Sequence, residues 1–118
     1  MLREVPRTRQ IPGDYFRRCF EDKYFNLFIW YQKDGTFYGF QLCYDSQENP
    51  RALTWTENRG YSHARIDDGE ESPLANRSPV LRPGAEVDKE ELLAGFRAAA
   101  RMMPEPEREF VDSKQARF

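Results

Sequence analysis

The stretch Tyr24–Tyr44 reads YFNLFIWYQKDGTFYGFQLCY, two runs of aromatic and aliphatic residues joined by Asp34 and Gly35. Runs of this composition favour β-strands. An Asp-Gly pair between two such runs is a strong hairpin signal, because both central turn positions need a positive φ. The sequence therefore predicts an antiparallel hairpin, and everything else in the fold is placed relative to it.

Counting outward from a two-residue turn pairs Phe25 with Tyr44 and Ile29 with Phe40, and it gives the hairpin one wholly apolar face. The predicted core face holds Phe25, Leu27, Ile29, Tyr31, Tyr38, Phe40, Leu42 and Tyr44. The opposite face is mixed and holds Phe28, Trp30, Phe37 and Gln41. There Trp30 faces Gly39, so the indole ring has room to cover a bare backbone.

A second hairpin is predicted from Arg51–Glu57 and Tyr61–Asp67, joined by Asn58, Arg59 and Gly60. A three-residue loop with glycine in the left-handed position suits this spacing and pairs Trp55 with His63 and Leu53 with Arg65. The predicted core side is the one with small residues, Ala52, Thr54, Ala64 and Ile66. The opposite choice would bury Leu53 and Trp55 but would carry Arg65 inward, which is unfavourable for a charge.

Capping signals predict two helices. Asp88 and Glu91 have the spacing of a capping box, and apolar residues then recur at helical spacing until Pro104, so a helix is expected over 88–103. Asp14 is placed to cap a short helix over 15–21. Residues 79–81 form a possible edge strand, residues 1–13 a loosely ordered arm, and residues 105–118 either a frayed tail or a marginal last helix.

The predicted fold class is a single α+β domain over residues 1–118. It consists of an antiparallel β-meander of four to five strands, packed on one face by a C-terminal helix, with a short N-terminal helix. A length of 118 residues suits one domain, and 39% hydrophobic residues exclude a wholly disordered chain. A net charge of −2 argues against nucleic acid as a partner. No apolar run is long enough to cross a membrane, and the charged N-terminal residues do not resemble a signal peptide, so a cytoplasmic location is expected.

The non-core faces of the two hairpins are expected to merge into one open surface of aromatic and polar side chains. The predicted binding residues are Trp30, Gln41, Trp55, His63, Arg65 and Asp67. Such a surface on rigid strands suits a non-catalytic binding or interaction module whose partner is a protein or a small molecule. An uncovered edge strand or exposed aromatic face would also favour a homodimer.

The alternative function is a hydrolase in which His63 is a general base oriented by Asp67 or Glu70. Cys19 and Cys43 are weaker nucleophile candidates, because a reactive thiol needs a lowered pKa and because Cys43 lies in mid-strand, where thiols are usually small buried hydrophobes. The acidic run from Asp67 to Glu71 does not have the spacing of a calcium loop. The chain also lacks the phosphate-binding, dinucleotide-binding and zinc-binding motifs, so no cofactor and no metal are expected.

Three segments, Gly39–Asp45 (GFQLCYD), Arg51–Trp55 (RALTW) and His63–Glu70 (HARIDDGE), resemble a family of small bacterial proteins of unknown function. With the residues around Arg17 and the Asp34 turn, the resemblance covers about residues 15–71. It implies a bacterial, cytoplasmic protein with a shared fold, and it implies no activity.

Overall fold

The computed structural model describes residues 1–67, 80–82 and 87–118. Within these ranges, seven antiparallel strands follow one another in chain order across a single sheet. They are β1 (Arg3–Glu4), β2 (Phe16–Glu21), β3 (Phe25–Tyr31), β4 (Phe37–Tyr44), β5 (Arg51–Thr56), β6 (Gly60–Asp67) and β7 (Val80–Arg82). The described residues after β7 contain two helices, α1 (Lys89–Ala99) and α2 (Glu105–Ala116). The α+β meander is confirmed, including the short strand near residue 80, whereas the predicted number of four to five strands is wrong.

The short helix predicted over residues 15–21 is wrong, because those residues form β2. Strand β2 pairs along its whole length with β3, placing Phe16, Arg18 and Phe20 opposite Tyr31, Ile29 and Leu27. Its side chains therefore alternate between the two faces of the sheet, and Phe20 is fully buried. Without β2, the backbone groups along this side of β3 would lack partners.

The N-terminal arm, predicted to be loosely ordered, is bound to both α1 and the sheet. Leu2 is buried, and its N–H donates to the Ala99 carbonyl at 2.8 Å. After β1, the Gln10 amide makes two hydrogen bonds to the backbone of Arg17: Nε2 donates to the Arg17 carbonyl at 2.8 Å, and the Arg17 N–H donates to Oε1 at 2.9 Å. A side chain thus takes the place of a neighbouring strand at this edge of the sheet.

The first hairpin has the predicted register from Phe25–Tyr44 to Trp30–Gly39. Beyond that pair a β-bulge shifts the register, so Tyr31 lies opposite Phe37 instead of Tyr38. Phe37 consequently packs on the core, and Tyr38 stacks on Tyr15 with ring centroids 3.9 Å apart. The predicted faces of Phe37 and Tyr38 are therefore wrong, because one extra residue in a strand reverses the alternation beyond it.

The second hairpin is displaced by two residues from the predicted register, since Trp55 lies opposite Tyr61 and Leu53 opposite His63. A shift of two preserves the faces, but the face predicted to be the core is wrong. Leu53 is fully buried and pairs with Leu42 on the side that the helices cover. Arg65 lies on that side too, yet it is exposed, because it lies at the far end of its strand.

Both helices pack on the face that carries Leu27, Ile29, Phe40, Leu42 and Leu53. In α1, Asp88 caps the first turn as predicted, accepting the Glu91 N–H at 3.0 Å, and Phe96 is buried edge-on against Phe25. In α2, Phe110 stacks on Phe37, and Val111 is fully buried. The alternative of a helix over residues 105–118 is therefore the one observed.

Gln115 of α2 is 6% exposed, and neither polar atom of its amide has a hydrogen-bond partner in the described part of the chain. Burying an unpaired amide destabilises a protein by about 1–3 kcal/mol. We therefore expect Gln115→Met, which keeps a similar shape without the polar atoms, to raise the free energy of unfolding by about 1–2 kcal/mol in urea denaturation. Gln47→Met, at an exposed loop position, is the matched control and should change stability little. Equal stability of the Gln115→Met and wild-type proteins would contradict this.

Candidate functional site

The six predicted binding residues do not share one surface. Trp30 and Gln41 lie on the face of the sheet opposite α1 and α2, whereas Trp55 and His63 lie on the helix-packed face. Gln41 is buried, and its amide donates to Thr54 Oγ1 at 3.1 Å, while Trp30 is half-buried. The single open surface predicted from the two hairpins is therefore wrong, because the second hairpin has its opposite face in the core.

Trp55 and His63 are covered by the C-terminal residues. The ammonium of Lys114 lies 3.9 Å from the centroid of the Trp55 ring, and Phe110 meets the same ring edge-on. Phe118 packs against the His63 ring at a centroid distance of 5.9 Å. The hypothesis that these two residues form an exposed site is therefore not supported.

His63 contacts a tyrosine in addition to Phe118. Its Nε2 lies 2.5 Å from the hydroxyl of Tyr44, whose pKa is raised to about 12 by burial. The side chain of Asp67, and Glu70 as a whole, lie outside the described residues, as does most of the acidic run to Glu71. The orientation of His63 by either carboxylate thus stays a prediction.

The two cysteines have the properties of buried hydrophobes. Burial raises the pKa of each thiol to about 11, so Cys19 and Cys43 are protonated at neutral pH. Because the thiolate is the nucleophilic form, neither residue is activated for catalysis.

The candidate ligand site is a half-open cavity of about 550 Å³ between α1 and one end of the sheet. Its apolar walls come from Phe25 and Tyr44 on the strands and from Val87, Leu92 and Gly95 at α1. The strand residues and Leu92 belong to the buried core, so this wall is rigid. Gly95 adds room, since a helix position without a side chain faces the cavity.

We call this the α1 cavity. Its lining also contains polar groups. Asp22 accepts the N–H groups of Tyr24 and Phe25 at 2.8 and 2.7 Å, and it lies 3.3 Å from the Met1 ammonium. Arg51 lies 4.7 Å above the Tyr44 ring and forms an ion pair with Asp45 at 3.3 Å. The two cationic groups that the described residues contribute to the walls are therefore already paired with carboxylates.

Among the described residues, the other polar groups of the α1 cavity are Tyr24 and the first turn of α1. Tyr24 is 46% exposed, and its pKa is raised, by burial first and then by the nearby carboxylate of Asp45. Glu91 is exposed and has no ion-pair partner among the residues described. A ligand here would meet a neutral phenol ring and a carboxylate that has no ion-pair partner among the described residues.

A second depression, of about 790 Å³, lies beside the turn of the first hairpin and is lined by Tyr15, Phe16, Arg18 and Lys33 among others. Phe16 is 55% exposed, and Arg18 is already bound to Glu4 and Glu107. This depression is bounded by two neighbouring segments of chain and no helix, so it gives a ligand less enclosure than the α1 cavity.

Sequence reasoning missed the α1 cavity because its walls come from distant parts of the chain. One local signal was present: Gly95 interrupts a helix of good helix formers, at a loss of about 1 kcal/mol relative to alanine. A glycine retained inside a helix often has a packing or functional reason.

Comparison with protein-family models, curated proteins and solved structures gives no match. The resemblance to a bacterial family, carried by the GFQLCYD, RALTW and HARIDDGE segments, therefore stays a prediction. Within the described ranges, no helix is long and apolar enough to span a membrane.

Proposed function

We propose that this protein is a non-catalytic binding module that holds a small molecule in the α1 cavity. The observation that carries the proposal is the combination of a 550 Å³ volume, a rigid apolar wall and a few polar groups at one place. Small-molecule sites have volumes of about 300–1,000 Å³ and the same mixture of a mostly apolar lining with few polar groups. A cytoplasmic location and a homodimer stay predictions.

The walls of the α1 cavity come from elements that hold one another in place. Phe25 of β3 contacts Phe96 of α1, and Leu2 donates to the end of the same helix. Because α1 is fixed at both these points, the cavity is largely pre-formed. A pre-formed site loses little conformational entropy when a ligand binds.

The proposal is tested by titrating the protein with phenethyl alcohol, a neutral probe with one aromatic ring, and following backbone amide signals by NMR. We expect saturable shifts in α1 and around Tyr24, with a Kd of about 1 mM or tighter for so small a probe. Gly95→Leu should abolish these shifts by filling the cavity. The added Cβ has room, because its nearest neighbour is Phe25 Cζ at 3.7 Å.

Ala94→Leu is the matched control, because Ala94 is exposed on the same helix and does not line the cavity. It should bind the probe like the wild type. Gly95→Leu should also unfold at a higher temperature than the wild type, since leucine favours a helix interior by roughly 0.5–1 kcal/mol over glycine. Loss of binding in a more stable variant would exclude unfolding as the cause. Absence of saturable shifts in the wild type, for this probe and for its amine and carboxylate analogues, would overturn the proposal.

A further inference from the structure

We propose that the α1 cavity selects organic cations, and specifically primary amines attached to an aromatic or aliphatic body. This inference rests on the proposed function and names the class of ligand. It is carried by the rings and charges of the cavity together with the size of its apolar wall.

The first argument is the aromatic surface at the mouth of the cavity. The Tyr44 ring already holds a cation on one face, the guanidinium of Arg51 at 4.7 Å. The Tyr24 ring lies next to it, with centroids 6.4 Å apart, and is 46% exposed. The negative face of a tyrosine ring attracts ammonium groups within about 6 Å. The ammonium group of a ligand can therefore lie over the Tyr24 ring, as the Arg51 guanidinium lies over the Tyr44 ring.

The second argument is the balance of charge around the cavity. Asp22 and Asp45 each face a cation of the protein, so these two pairs contribute little net field. Glu91 lines the cavity and has no such partner in the described part of the chain. An unpaired carboxylate beside an exposed ring attracts a ligand cation and repels a ligand anion.

The N-terminal end of α1 opens toward the same cavity, and a helix N-terminus by itself attracts anions. Here its first turn carries Glu90 and Glu91, and the carboxylate of Asp88 accepts one of the free N–H groups. The protein thus already supplies the negative charge that a bound anion would bring. This leaves a cation as the ligand charge that the site favours.

The apolar wall determines which group the ligand carries besides its ammonium. The wall is an uncharged surface formed by Phe25, Leu92 and Gly95. It suits an aromatic ring or a short alkyl chain. Burying such a group contributes roughly 25 cal/mol per Å². A small inorganic cation would leave this surface in contact with water.

Three probes with the same phenylethyl body and different charge test the inference: phenethylamine, phenethyl alcohol and 3-phenylpropionate, each titrated at pH 7 and low salt. We expect phenethylamine to bind at least about tenfold more tightly than 3-phenylpropionate, with the alcohol between them. Raising the salt concentration should reduce the difference in affinity between the amine and the carboxylate, because exposed charges are screened. Glu91→Gln should reduce the preference for the amine several-fold. Glu90→Gln should reduce it much less, because Glu90 lies in the same turn but does not line the cavity.

The outcomes separate the two proposals. If all three probes bind equally, or the carboxylate binds best, and Gly95→Leu still abolishes binding, the cation preference is overturned and the binding function stands. If Glu91→Gln and Glu90→Gln change the preference equally, the assignment to Glu91 is overturned. If none of the probes gives saturable shifts, both proposals fail.

Discussion

Gly39→Ala is expected to destabilise the protein by about 3 kcal/mol or more, the upper end of what overpacking does. A Cβ at this position would clash with the backbone carbonyl oxygen of Trp55, and it would lie 2.9 Å from the Cα of Thr56. Backbone atoms of a paired strand cannot move aside as a flexible side chain can. Either β5 separates from β4, or the strand pair bends, and both disturb the centre of the sheet.

Urea denaturation followed by circular dichroism measures this effect. Gly95→Ala is the control, because its Cβ would meet nothing closer than Phe25 Cζ at 3.7 Å. It should stabilise the protein by roughly 0.5–1 kcal/mol through helix propensity. The same chemical change should thus have opposite signs at the two glycines. A loss below about 1 kcal/mol for Gly39→Ala would show that the sheet can yield at this point.

Glu107→Ala is expected to lower the free energy of unfolding by about 2–4 kcal/mol, because it breaks a largely buried ion pair. Glu107 is 8% exposed. Its Oε2 accepts the hydroxyl of Tyr31 at 2.9 Å and lies 3.1 Å from Arg18. Removing the carboxylate leaves both groups without this partner, and it releases the first turn of α2 from β2 and β3. The Glu4 carboxylate, 2.6 Å from Arg18, limits the loss.

Two further variants make the measurement specific. Glu109→Ala, on the exposed side of the same helix, should change stability by less than about 0.5 kcal/mol. Glu107→Gln keeps an oxygen acceptor for Tyr31 and should recover part of the loss seen with alanine. If Glu107→Ala and Glu109→Ala are equally stable, α2 is held by its apolar contacts alone.

The first hairpin was predictable because several local signals agree. The turn glycine, the aromatic runs and one wholly apolar face all require the same pairing from Phe25–Tyr44 to Trp30–Gly39. The prediction failed only past the bulge, where the turn conformation sets the register. In that turn the Gln32 N–H donates to the Thr36 carbonyl, a pairing that a two-residue count does not give.

Strand β2 was not predictable because its pattern is ambiguous. Phe16 and Phe20 are four residues apart, which suits a helix, but Phe16, Arg18 and Phe20 also alternate as in a strand. The decision comes from β3, whose open side needs a partner. Local sequence does not contain this requirement.

The site was predicted in the wrong place for a related reason. Which face of the second hairpin is buried depends on where α2 crosses the sheet. The charge of Arg65 favoured the face opposite to Leu53 and Trp55 as the core. Arg65 avoids burial by its position at the end of the hairpin. The α1 cavity combines Tyr24, Arg51 and Glu91, and no spacing rule joins residues so far apart in the chain.

The hydrogen bonds of Gln10 bear on how this protein ages. A sheet edge is a template for strands of other molecules, and here part of that edge is closed by one amide side chain. Such an amide is open to slow hydrolysis, which leaves the backbone intact. The resulting carboxylate has no N–H to offer the Arg17 carbonyl, so the edge gains an unpaired acceptor while the core is unchanged. Protection of this part of the edge therefore depends on one surface amide and is separate from the apolar packing of the core.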